Sequence, residues 1–150
     1  MSQIAKQISR DDPIELITFF VGEALCGLDI KEVRGINKIQ EITPVYLSPE
    51  YVTGLINLRG FIVTIIDLGI KLGLSSSTAA AGKHAIIVSS GQEYVGLLVD
   101  RLNDVIHSDF DNVEKTPANI GGLQGKFFDR VVKDEKQLIG VLDVREILKI

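Results

Sequence analysis

Residues 51–74 read YVTGLINLRGFIVTIIDLGIKLGL, and the fold follows from how this stretch is parsed. Two apolar runs, GLINLR and FIVTIID, flank Gly60, and the second ends in an aspartate that leads into a helical pattern. Apolar runs joined by a tight glycine-bearing connection mark a β-hairpin. The same arrangement occurs three more times. ELITFFV and ALCGLD flank Gly22-Glu23, HAIIVSS and EYVGLLVD flank Gly91-Gln92, and FFDRVVK and QLIGVLD flank Asp134-Glu135-Lys136. Four hairpins in 150 residues indicate small barrels or sandwiches of short strands.

Little of the chain reads as helix. Ser48-Pro49-Glu50 suggests a single turn, with serine as cap and proline at the first helical position. Residues 67–72 and 143–148 read as short helices after apolar strands, and Asp143 with Glu146 fits a capping box. SSSTAAAG at 75–82 is small and polar, a flexible loop and the natural place to divide the chain. Residues 1–13 read as a loose leader, which leaves 14–150 as one domain of two barrel subdomains, with strand exchange between them left open.

The two halves resemble each other. LITFFVGEALCGLD and AIIVSSGQEYVGLLVD align with Gly22 on Gly91 and Gly27 on Gly96, and each strand ends in an apolar residue and an aspartate, Asp29 and Asp100. The closing hairpins end alike, at Ile66-Asp67-Leu68 and Leu142-Asp143-Val144. Aspartate is a common cap after a strand, but four occurrences in the same order point to two related barrels. FIVTII at 61–66 is apolar on both faces, with only Thr64 interrupting. A strand wetted on one side alternates, so this one is expected to be covered on both sides, by the second barrel. A groove at that seam would suit a partner helix.

Composition bounds the class. The chain carries 16 Lys+Arg against 20 Asp+Glu, a net charge of −4, too acidic for the dense basic face that nucleic acid requires. Its six Phe and three Tyr lie mostly in apolar runs rather than as stacking platforms. Cys26 is the only cysteine, so no internal disulfide can form. No signal-peptide pattern opens the chain, and no apolar run approaches the roughly 20 residues of a membrane-spanning helix. The expectation is a soluble, cytoplasmic protein.

Catalytic chemistry is not legible. His84 and His107 share no metal-ligand spacing with each other or with Cys26, and read as half-buried strand residues. Cys26 sits in an apolar strand, as a core thiol does. Asp109-Phe110-Asp111-Asn112 lacks the glycine and terminal glutamate of a calcium loop. Gly121-Gly-Leu-Gln-Gly125-Lys126 is one residue short of a phosphate loop, and Phe127 replaces its Ser or Thr. No enzyme, cofactor or metal is expected.

The 51–74 segment also carries a resemblance. Gly54-Leu-Ile-Asn-Leu-Arg-Gly60, followed by Ile-Val-Thr-Ile-Ile-Asp-Leu68, resembles the central signature of the CheW family. LITFFVGEALCGLDIKEV, YVGLLVDRLNDVI and LIGVLDVREIL fall around it in the family's order, over about 15–148. The resemblance implies a mainly β fold of two small SH3-like five-stranded barrels packed together, with a few short helices. It implies a stand-alone adaptor of bacterial chemotaxis, without the receiver domain of CheV proteins. Its partners would be the regulatory domain of the histidine kinase CheA and the cytoplasmic tip of a methyl-accepting chemoreceptor, in membrane-associated arrays without direct membrane insertion. A scaffold of the same type in another kinase pathway, pilus motility or development, stays open.

Carried over by position, Ile30, Val33 and Ile36, with Val105 as their rough counterpart in the second half, match apolar family positions near the receptor groove. Gly54, Asn57, Arg59 and Gly60 match the signature turn. Ordinary barrel core would explain the apolar four equally well, and backbone geometry would explain Gly54. Arg59 at a hairpin tip is by default a solvated charge, yet a guanidinium on a rigid turn is also a good anchor. The family usually has a glutamate that pairs with this arginine where the chain has Gly35, and a proline where it has Thr64. Glu32, Glu41 and Glu50 are the candidate substitutes.

Overall fold

The structure, a computed structural model, describes residues 13–74, 84–135 and 137–149. The leader apart from Pro13, and the 75–82 loop, lie outside the described residues. Among the described residues thirteen strands form: β1 (Ile14–Val21), β2 (Ala24–Asp29), β3 (Val33–Lys38), β4 (Val52–Leu58), β5 (Phe61–Asp67), β6 (His84–Ser90), β7 (Glu93–Val99), β8 (Arg101–Ser108), β9 (Val113–Glu114), β10 (Asn119–Ile120), β11 (Leu123–Gln124), β12 (Phe128–Asp134) and β13 (Gln137–Leu142). Two short helices follow the closing strands, α1 (Leu68–Lys71) and α2 (Val144–Leu148).

All four expected hairpins are antiparallel pairs: β1–β2, β4–β5, β6–β7 and β12–β13. Gly22 (φ 59°) and Gly91 (φ 62°) take the first loop position, where a left-handed backbone lets the turn match the strand twist. The four strand-ending aspartates all act on backbone N–H groups. Asp67 accepts from Ile70 N at 3.2 Å, Asp143 from Arg145 N at 3.1 Å, Asp29 from Lys31 N at 2.9 Å and Asp100 from Gly22 N at 2.9 Å. Asp143 and Glu146 do not close a reciprocal box, because the Asp143 N–H donates to Phe127 O and Glu146 pairs with Lys149.

The sheets are not divided at 75–82. One sheet runs β8-β1-β2-β13-β12-β9 and the other β3-β6-β7-β5-β4. Exchanging β6 for β1, β7 for β2, β3 for β8, β5 for β13 and β4 for β12 converts one order into the other. The duplication read in the sequence is therefore real in the fold, but each sheet takes one hairpin from each half. The seam inside each sheet is the parallel pair, β2 with β13 (Gly27↔Val141) and β7 with β5 (Gly96↔Ile65). Aligned glycines sit at both seams, where an added Cβ would meet Ile139 at 3.0 Å or Ile65 at 2.6 Å.

Three apolar layers result. Leu16, Leu25, Val132, Ile139 and Val141 pack within the first sheet's barrel, and Val63, Ile65, Ala85, Ile87 and Leu98 within the second. The largest cluster lies between them, with Phe19, Cys26 and Leu28 from one sheet against Ile66, Ile86, Val88 and Leu97 from the other. Each such buried side chain is worth about 1.5–3 kcal/mol relative to exposure, so the barrels are fused rather than touching.

Three further sequence expectations need correction. β5 is not covered throughout: Phe61 and Ile62 are exposed, at 58% and 62%, and tight burial begins at Val63. The seam reaches only the C-terminal end of β5, where Ile66 joins the shared core. Residues 48–51 form a turn rather than a helix, because Ser48 Oγ donates back to Val45 O at 2.9 Å and Val52 N to Pro49 O at 3.0 Å. His107 is exposed on β8, facing Glu15 at 3.4 Å, while His84 is half-buried as expected.

Candidate functional site

The signature hairpin is built for a rigid tip. Both residues of its two-residue loop have positive φ, Arg59 at 53° and Gly60 at 88°. A β-carbon makes that backbone costly for arginine. Asn57 Oδ1 offsets the cost by accepting the Gly60 N–H at 3.0 Å. Asn57 is thus a turn-builder, and Arg59 is presented to solvent on a fixed backbone. Gly54 is buried and serves the fold: a Cβ there would lie 2.2 Å from Thr43 O and 2.6 Å from Ile42 Cγ2, where Thr43 bridges to Leu55.

Beside that tip lies a cleft of about 370 Å³. β3 contributes Arg34, Gly35, Ile36 and Asn37 to one wall, and the signature hairpin contributes Leu58, Arg59 and Phe61 to another. Ile87 and Tyr94 complete the lining. Phe61 and Tyr94 stand edge to face, with ring centroids 5.5 Å apart, an arrangement that holds both rings. Arg34 Nη1 donates to Lys31 O at 3.3 Å and Nε to Ser89 Oγ at 3.4 Å.

The cleft brings together two of the residues named from sequence, Ile36 and Arg59, and it includes Gly35 beside them. Among the described residues none of its lining is acidic, and Glu32, Glu41 and Glu50 do not reach it. The carboxylate expected to pair with Arg59 is therefore not supplied by any of the three. Arg34, Phe61 and Tyr94 were not singled out from sequence. Tyr94 reaches the cleft only because β5 and β7 run parallel with Val63 opposite Tyr94.

The remaining candidates lie elsewhere. Ile30 is exposed on the 3-10 turn 30–32, and Val33 is half-buried against the shared core. Val105 is 50% exposed on β8, in the other sheet. Glu32, in the turn between the sheets, has its carboxyl pushed up by desolvation first, then by Asp29, Asp129 and Asp143, with Arg130 opposing. Burial pushes the Cys26 thiol up to about 12, which keeps it protonated and inert. Among the described residues no group of three His, Cys, Asp or Glu could hold a metal, and no helix is long and apolar enough to cross a membrane.

The site is thus a basic cleft on one of two outer strands, each with exposed apolar side chains, of a fused β-barrel domain. Residues 15–150 match the CheW-like domain, and the chain belongs to that family. It is 31% identical to the chemotaxis protein CheW of Treponema pallidum over 92% of this chain and 84% of that one. It is 32% identical to the probable chemotaxis protein CheW of Rhizobium etli, over 96% and 92% respectively. The crystal structure of the scaffolding protein TtCheW from Thermoanaerobacter tengcongensis superposes with a TM-score of 0.82 at 28% identity, covering 97% of this chain and 95% of that one.

Proposed function

We propose that the protein is a non-enzymatic scaffold of bacterial chemotaxis, joining the cytoplasmic tips of methyl-accepting chemoreceptors to the regulatory domain of the histidine kinase CheA. Its relatives are chemotaxis proteins, one of them described as a scaffolding protein. The observation that carries the reading is a pair of exposed apolar residues, Ile36 and Val105, on outer strands of two sheets that share one core. Partners docked at the two strands are held at a fixed mutual geometry. Weak contacts then reinforce one another, because each later contact forms at high effective concentration. A receptor's conformational bias reaches the kinase through that rigid body, in the cytoplasm, at membrane-associated receptor arrays.

An NMR titration with a receptor-tip fragment, then with a CheA regulatory domain from the same organism, tests this. Two distinct sets of shifted resonances are expected, one including Ile36 and the other Val105. Absence of shifts with both partners would exclude the chemotaxis assignment.

A further inference from the structure

We propose that the cleft between β3 and the signature hairpin seats a carboxylate of the partner docked there, held by Arg34 and Arg59, with an adjacent aliphatic side chain against Ile36 and Phe61. The partner segment is thereby specified as acidic and aliphatic.

Two guanidinium groups line the cleft, and among the described residues no carboxylate does. Neither arginine forms an ion pair among those residues; Arg34 has only a carbonyl and a hydroxyl as partners. The Arg59 backbone is pinned by the Asn57–Gly60 bond, so ordering it on binding costs less than ordering a loop. A planar guanidinium on such a support matches a carboxylate through paired N–H donors. The flanking walls are apolar and aromatic, so the complex would exclude water around the charge pair and strengthen it.

The fold supplies a comparison within the same molecule. By strand register, Arg34, Gly35, Leu58 and Arg59 correspond in the other sheet to Asn103, Asp104, Asp134 and Glu135. Glu135 even repeats the backbone of Arg59, with φ of 54° against 53°. Asn103 and Glu135 thus stand in place of the two arginines, and Asp104 and Asp134 in place of Gly35 and Leu58, with Lys133 and Lys136 adjacent in sequence. An acidic segment suited to the first end is repelled by those carboxylates at the second, so charge assigns it to one of two otherwise similar faces.

Gly35 makes the inference testable. A Cβ there would meet nothing nearer than Asn37 Oδ1 at 3.7 Å, so a longer side chain is accommodated. Gly35→Glu places a carboxylate in the cleft from within the chain, and Gly35→Gln is the neutral control of the same length. In a first experiment, the capped dipeptides acetyl-Glu-Leu-amide and acetyl-Gln-Leu-amide are titrated while the arginine Nε–H signals are followed by NMR. Saturable shifts at Arg34 and Arg59 are expected with the glutamate peptide only, in the wild type and Gly35→Gln but not in Gly35→Glu. Equal responses to the two peptides, or none, would overturn the proposal.

A second experiment, which rests on the chemotaxis reading, measures calorimetrically the affinity of each variant for the receptor-tip fragment and for the CheA regulatory domain. Gly35→Glu should weaken one of the two by about tenfold or more, and Gly35→Gln by less than about threefold. Equal losses in both variants would remove the carboxylate from that interface. If neither partner binds the wild-type protein, the chemotaxis reading fails, while the dipeptide result decides the cleft separately.

Discussion

Ile36 pairs with Ile86 of β6, and Val105 pairs with Ile17 of β1, which makes them equivalent positions on the outer strands of the two sheets. Their exposures are 40% and 50%. The equivalence extends to an irregularity beside each, since the register shifts between Val33 and Gly35 in one pairing and between Ile17 and Phe19 in the other. A bulge sharpens the local twist and turns side chains away from the ladder. The hairpin tips agree as well, with Ile62 at 62% and its counterpart Leu138 at 55%.

These two residues should separate binding from folding. Ile36 and Val105 are only partly buried, so Ile36→Ser and Val105→Ser should each cost about 1–2 kcal/mol and lower the melting temperature by no more than about 8 °C, leaving the protein folded. Each should cost about tenfold in affinity for a different partner. Calorimetric titration of both variants with both partners checks this; loss of the same partner by both would place the two residues in one interface.

Gly54→Ala should destabilise the protein by at least about 2 kcal/mol, because the new methyl group would displace the Thr43 backbone and open its bridge to Leu55. Urea denaturation measures the loss. Refolded protein should keep its affinity for both partners, since the glycine is buried.

Thr18 is a buried polar residue that donates to Asp104 O and accepts from Asn103 Nδ2 at 3.1 Å, at the β1–β8 register shift. Thr18→Val leaves that carbonyl unsatisfied and should cost about 1–2 kcal/mol. Hydrogen exchange should report the loosening at β8 before the central strands respond.

Cys26 should be silent to thiol reagents in the native state at pH 8 and react only as fast as the protein opens. The linkage follows from its folded value of about 12 against an ordinary 9.0. The unfolded thiol ionises first, so stability is unaffected below pH 9 and falls as pH rises toward the folded value. The slope approaches about 1.4 kcal/mol per pH unit. Cys26→Ala should abolish that alkaline component in denaturation curves collected from pH 8 to 11.

The hairpins and the capping aspartates were legible in the sequence because each depends on neighbours within a dozen residues, and the internal duplication because that local pattern is written twice. A glycine at a loop's first position, or an aspartate before a helix, acts through local backbone geometry wherever the segment finally packs. The aligned glycines at 27 and 96 signalled equivalent strands before any pairing was known. Gly35 was visible as a missing carboxylate only through the family resemblance.

Tertiary structure decided which hairpins share a sheet. The repeat suggested one barrel per half, whereas β2 joins β13 and β7 joins β5. Side-chain periodicity records that a face is buried but not by which strand. The two halves, being alike, offer each strand two similar neighbours. For the same reason the apolar run of β5 could not reveal that Phe61 and Ile62 face solvent, since an exposed apolar surface and a core face are written with the same residue types. The cleft joins β3, the β4–β5 turn and β7, segments far apart in sequence, and exists only once parallel pairing sets Tyr94 beside Val63. Local chemistry fixed the pieces, and the long-range burial that fused the sheets fixed the surface they present.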